Sequence, residues 1–190
     1  MQLGTGDLVF FGNPHTLLSR FIQWGDGSKV SHVGVVIENP PWLTEPAVAL
    51  LESGFEDFPD IEIHEQNYGV RLSKLEDVVN AYQAAGGSVW VRRSVFEIGN
   101  NDMLKHIHLQ VHNRPYDDTP GTWIGDFFGW KRQPTDARFT CSALAAFVLK
   151  ELGALAPDTD YTSVTPTMLL DNTHLTWIST FNALEPWAPE

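Results

Sequence analysis

VSHVGVVIE, residues 30–38, is rich in β-branched residues and stops at Glu38-Asn39-Pro40-Pro41, so it predicts a central, buried strand. One polar ring interrupts its apolar run: His32, among Val30, Val33, Val35, Val36 and Ile37. Gly34, two positions on, falls on the same face and removes a side chain that would crowd the imidazole. A histidine so placed is either a hydrogen-bonded core residue or the base of a reactive site, and the strand alone fits both.

The neighbouring segments supply the rest of a sheet. DLVFF (7–11) follows a Gly-Thr-Gly turn and reads as a buried strand, and AVALLES (47–53) as the next one. HTLLSRFIQW (15–24) has helical spacing, with Asn13-Pro14 as start and Gly25 as stop. GFEDFPDIEIHEQ (54–66) is acidic and turn-prone, which predicts an exposed excursion. A strand at Tyr68–Leu72, a helix over KLEDVVNAYQAA (74–85) and a strand at SVWVRRS (88–94) follow. Met103, Leu104, Ile107 and Val111 mark a helix over 101–112. The turn NRPYDDTPG leads from it to the aromatic TWIGDFFGW (122–130). A helix at 139–153, a polar loop, a short helix near 165–170 and a last strand at LTWISTF (175–181) complete the chain. Strands around one or two core helices predict an α+β fold in a single domain over 1–190.

With 190 residues, 43% of them hydrophobic, the chain can bury a core without staples. Its formal net charge of −12 disfavours nucleic acid and anionic lipid surfaces as partners. A single cysteine forms no internal disulfide, compatible with a reducing compartment. The start, MQLGTGDLVFF, lacks the basic and apolar regions of a secretory signal, and no apolar run approaches the roughly 20 residues of a transmembrane helix. A cytoplasmic location is the expectation, although export by another route leaves no mark in such a sequence. The oligomeric state is not legible.

The lone cysteine lies in FTCSALAAFVLKELG (139–153). Cys141, Leu144, Ala145, Val148, Leu149 and Leu152 form an apolar stripe, predicting a helix packed on the sheet along its length. Thr140 is the expected N-cap, which puts Cys141 in the first turn. Free backbone N–H groups there favour the anionic form of a thiol and suit an oxyanion beside it. A free cysteine is equally a small buried hydrophobe. A nucleophile needs a base and a group that orients it. His32 is the candidate base. Glu38, six residues along the same strand, lies about 20 Å away and cannot touch it. Glu52, on the adjacent strand ALLE, can stand opposite His32, or can be a solvated strand-end carboxylate.

GDLVFFG (6–12), SHVGVVIE (31–38) and FTCSALAAFVLKELG, in that order, resemble the strands and cysteine helix of NlpC/P60-type cysteine peptidases in their circularly permuted branch. That branch includes the YiiX/YaeF-like permuted papain-fold amidases and the lecithin:retinol acyltransferase-like enzymes. The likeness covers about 6–54 and 110–170. It implies an antiparallel sheet or small barrel packed on the cysteine helix, with Cys141 as nucleophile, His32 as base and Glu52 at the third polar position. A glutamate there is similar to the amidase-like branch, whereas the acyltransferase-like branch tends to carry histidine. RPYD (114–117) resembles a Gly-x-Pro-Tyr-Asp-like turn of that branch, so Tyr116 is a candidate donor to substrate or oxyanion, as Thr140 is beside the cysteine. Two features depart from the pattern. Thr-Cys-Ser-Ala lacks an acidic neighbour, and the connection PPWLTEPAV is long and proline-rich.

The resemblance implies a hydrolase that cleaves a peptide, another amide or a lipid ester through a Cys141 thioester; no cofactor is expected. Three other readings stand beside it. An acyltransferase or phospholipase would use TWIGDFFGW as an acyl groove. A metal site would use His108 and His112, i and i+4 on a helix, with Asp117 or Asp118, while His106 points elsewhere; no HExxH pattern is present and solvated histidines on a helix need no metal, so none is expected. A non-catalytic binding module would use the same fold.

Overall fold

The computed structural model describes residues 2–12, 29–56, 58–95, 101–117, 138–171 and 174–188. The helix expected at 15–24 and the aromatic segment 122–130 lie outside them.

Six strands form one open antiparallel sheet: β1 (Leu8–Gly12), β2 (His32–Glu38), β3 (Val48–Gly54), β4 (Gly69–Lys74), β5 (Ser88–Arg92) and β6 (Glu185–Pro186). Their spatial order is β4-β3-β2-β1-β5-β6, so β2 is interior, as its β-branched run predicts, and the sheet does not close into a barrel. Among the described residues four α-helices accompany it: α1 (Leu75–Ala84), α2 (Asn101–Val111), α3 (Cys141–Glu151) and α4 (Pro166–Asp171). The fold is α+β. None of the described helices is long and apolar enough to cross a membrane.

Both faces of the sheet are covered, which is why the strands read as continuous apolar runs rather than alternating ones. On one face Val9, Phe11, Val36, Leu50, Val89 and Val91 pack with Leu75, Val78, Val79 and Tyr82 of α1. On the other, Phe10, Val33, Val35, Ile37, Leu51 and Leu72 pack with α2, α3 and α4 through residues such as Ile107, Leu144, Leu149 and Leu169. α3 is buried beyond its apolar stripe: Ser142, Ala143 and Ala146 are covered too. Small residues on its remaining surface let the 3₁₀ turn Tyr161–Ser163 and α4 close over it, and the Ser142 hydroxyl donates to the Val164 carbonyl at 2.6 Å.

The proline-rich connection does not disturb the hairpin it closes. Asn39, in a left-handed conformation at φ 48°, donates its N–H to the Ala47 carbonyl at 2.7 Å, and the ladder continues from Glu38↔Val48 to Val35↔Leu51.

LTWISTF differs from expectation. It is not a strand but a segment that shares its backbone bonds between two neighbours. Ile178 and Ser179 donate to Ala154, whereas Thr180 accepts from Val95 and Asn182 donates to Arg93. With its partners split in this way no continuous ladder forms, and the short strand β6 pairs with β5 instead. The acidic excursion 54–66 also departs from the reading, because Asp60 within it is fully buried.

Candidate active site

Cys141 and His32 are each the first residue of their element, and there the two meet. Strand alternation sends His32 to the α1 face, where it pairs in register with Phe11 and its ring lies 5.7 Å from that of Phe11. α3 packs on the opposite face. The thiol and imidazole therefore come together at the end of β2, not across the middle of the sheet, and the Cys141 side chain is among the causes that raise the His32 pKa. Both are buried, at 6% and 5% exposure.

His32 Nε2 lies 2.7 Å from Glu52 Oε2. That contact occupies one ring nitrogen and leaves Nδ1 for the thiol. The sequence reading set Glu52 opposite His32. The β2–β3 register, continued from Val35↔Leu51, instead places Glu52 across from Gly34 and diagonal to His32, still within side-chain reach. Gly34 has a different use from the one expected: a Cβ there would come within 2.6–2.7 Å of the Leu50 side chain, not against the imidazole. Gly54 is the glycine beneath the ring, where an added Cβ would sit 3.5 Å from His32 Cε1.

Glu52 is no solvated strand end, being 1% exposed. β4 answers its charge. Glu52 pairs in register with Arg71, whose Nε donates to Oε1 at 3.2 Å, and the Ser73 hydroxyl donates to the same oxygen. Arg71, itself fully buried, also donates through Nη1 to the Gly54 and Asn67 carbonyls and faces Glu56 Oε2 at 3.8 Å. Burial pushes the Glu52 carboxyl up, but the His32 hydrogen bond and the Arg71 charge outweigh it and hold the group at about 2. Burial likewise opposes the His32 imidazolium, yet hydrogen bonds to Cys141 and Glu52 and the nearby Glu56 charge hold its pKa well above 6.5. A protonated ring beside the thiol is thus favoured at neutral pH.

Tyr82 of α1 closes the other side. Its ring stacks on His32 at 6.3 Å and 11°, and its hydroxyl donates to Glu56 at 2.9 Å. Burial and the Glu56 charge push the phenol well above its ordinary value, so it stays a neutral donor.

The remaining two candidates hold the approach to the cysteine. Thr140 caps α3, its hydroxyl accepting the Ala143 N–H at 3.3 Å. Phe139, just before it, is fixed to β3 by the Ser53 hydroxyl at 2.8 Å, and to the RPYD turn by backbone bonds with Pro115 and Asp117. Gly69 allows that turn so close: at φ 129° it passes where a Cβ would lie 2.9 Å from Pro115 Cα and Tyr116 N. The Tyr116 ring packs on Phe55 at 4.0 Å.

Arg71, Ser73, Glu56 and Tyr82 were not singled out in the sequence. An arginine inside the apolar run Val70-Arg71-Leu72 was the available signal, since a buried guanidinium needs a carboxylate. Tyr82, at helical spacing from Leu75, Val78 and Val79, reads simply as core.

Of the helix histidines, His108 and His112 come together, as i and i+4 require, while His106 is exposed. The carboxylates that meet them are Asp60 and Glu62 from the β3–β4 connection, in place of the expected Asp117 or Asp118, the latter outside the described residues.

No protein-family model and no curated protein sequence matches the chain. Its fold does have solved counterparts. One is described as "metalloprotein yiiX from Escherichia coli O157:H7, DUF1105"; it superposes with a TM-score of 0.63 at 16% identity, over 99% of this chain and 100% of that one. The chain thus shares the fold of yiiX along essentially its whole length.

Proposed function

We propose that the chain is a thiol hydrolase of the circularly permuted NlpC/P60 kind, acting on an amide or ester carbonyl through Cys141. The observation that carries this reading is the buried run Cys141–His32–Glu52, in which His32 is hydrogen-bonded to Glu52 and the Cys141 side chain acts on the ring, assembled from a strand that precedes the cysteine helix in the chain. A yiiX-like fold, the fold the permuted resemblance implied, supports it.

In this scheme Glu52 holds the imidazole through Nε2 and stabilises its cation, so the Cys141 proton resides on Nδ1 and the two form a thiolate–imidazolium pair. The thiolate attacks the carbonyl carbon, and the backbone N–H of Cys141, outside the intrahelical ladder, donates to the oxyanion that forms. His32 then gives its proton to the departing amine or alcohol, leaving an acyl thioester. A water molecule, deprotonated by the same ring, attacks the thioester and releases the acid and the thiol. An acceptor in place of water would make the reaction an acyl transfer.

The test is a panel of acyl p-nitroanilides and p-nitrophenyl esters, assayed with the wild type and Cys141→Ala. Turnover of at least one class by the wild type and its disappearance in the variant, with an unchanged circular dichroism spectrum, is the expected outcome. Undiminished turnover by Cys141→Ala would overturn the assignment, and product appearing on an added amine or alcohol would redirect it to acyl transfer.

A further inference from the structure

HIHLQVH (106–112) turns Ile107 and Val111 into the core of α2's face, leaving His108 and His112 side by side one turn apart with rings 4.5 Å from centre to centre. Above them runs the β3–β4 connection, pinned rather than loose. Asp60, fully buried, accepts the N–H of Glu62 at 2.7 Å and of Ile63 at 3.3 Å on one oxygen, and that of Leu72 at 3.1 Å on the other. This aims Glu62 at the two rings: its Oε2 lies 2.6 Å from His108 Nε2 and 3.8 Å from His112 Nε2.

Two imidazole nitrogens and a carboxylate oxygen thus lie within 4.8 Å of one another. Their separations of 2.6 and 3.8 Å bracket the roughly 3.4 Å between neighbouring ligands of a tetrahedral zinc centre. The rings are held: Trp42 stacks on His108 at 4.3 Å and 16°, and His108 is only 2% exposed. Among the described residues His108 Nδ1 has no hydrogen-bond partner.

We propose that Glu62, His108 and His112 form a binding site for a first-row divalent transition ion of the zinc class. Two nitrogens and one carboxylate suit such an ion better than calcium or magnesium, which prefer all-oxygen shells. Asp60 Oδ2, 2.8 Å from His112 Nε2, is the nearest further donor. The site shares no side chain with the Cys141 cluster, and this proposal stands apart from the hydrolase reading. Its bound ion ties the β3–β4 connection to α2. The sequence reading expected no metal because solvated histidines on a helix need none; neither Asp60 nor Glu62 was placed beside them by the sequence.

The experiment is calorimetric titration of ZnCl₂ into chelator-treated protein free of any histidine tag, with a thermal melt alongside. Saturation at one ion per chain and a raised melting midpoint are expected. Glu62→Gln and His112→Ala, both at partly exposed positions, should each weaken binding about ten-fold or more, the usual cost of losing a metal ligand or its support. His106→Ala and Cys141→Ala should bind as the wild type does. Absence of saturable uptake, uptake unchanged in His112→Ala, or loss of uptake in Cys141→Ala would overturn the proposal.

Discussion

A carboxylate as buried as Glu52 persists as a charge only where cations and donors surround it, and Arg71, His32 and Ser73 do so. Its pKa is lowered from the ordinary 4.5 to about 2, so its contribution to stability is fully present above 4.5 and is lost as pH falls toward 2. Urea midpoints measured through that window should fall more steeply in the wild type than in Glu52→Gln, where Asp60 still loses its own stabilisation. Arg71→Met removes the counter-cation from a buried carboxylate and should cost about 3–5 kcal/mol in the same denaturation experiment at neutral pH. His32 moves in the opposite direction. With its pKa raised above 6.5, the imidazolium and its stabilisation are complete below 6.5 and are lost only as pH rises through the raised value. The alkaline limb of kcat/KM should therefore lie well above pH 6.5, and Glu52→Gln should pull it down; an unmoved limb would separate Glu52 from the imidazole. The cysteine, the histidine and the glutamate were each legible because their surroundings made them odd: a thiol at a helix start, a ring in an aliphatic strand, a carboxylate closing another. Their support was not, since nothing in GVRLSK states that Arg71 will stand in register with Glu52.

The elements were mostly legible, and their failures share a cause. Strands β1 to β5 and all four described helices follow from local pattern, because each buries a face that its own residues define. LTWISTF has the composition of a strand but no single neighbour to pair with, and that is a property of the surroundings, not of the segment. What the elements do for the site rests on the start of α3. Ser53, on the strand that carries Glu52, clamps Phe139, and Thr140 caps the first turn. Thr140→Ala should cost about 1 kcal/mol of stability by loss of the cap. Ser53→Ala should lower kcat more than it raises KM, because it loosens Cys141 relative to His32 without touching substrate contacts. Equal changes in kcat and KM for Ser53→Ala would show the clamp to be irrelevant to alignment.

At the scale of the whole molecule, the order of elements matters more than any one of them. The histidine strand comes first and the cysteine helix more than a hundred residues later, yet the fold returns that helix to the start of β2. An open sheet covered on both faces makes this possible, with α1 bringing Tyr82 to one side of His32 and α3 bringing Cys141 to its end. The grouping of Asp60, Glu62, His108 and His112 is the feature that required the three-dimensional chain, because its halves lie on separate elements 46 and 52 residues apart. The central claim is that His32 and Glu52 make Cys141 a nucleophile. It is tested most directly by the rate at which a p-nitrophenyl ester acylates the single cysteine, followed by intact mass. The wild type should gain one acyl group, Cys141→Ala none, and His32→Ala should react on the order of 10²-fold more slowly. Acylation of Cys141 in His32→Ala at the wild-type rate would contradict the account.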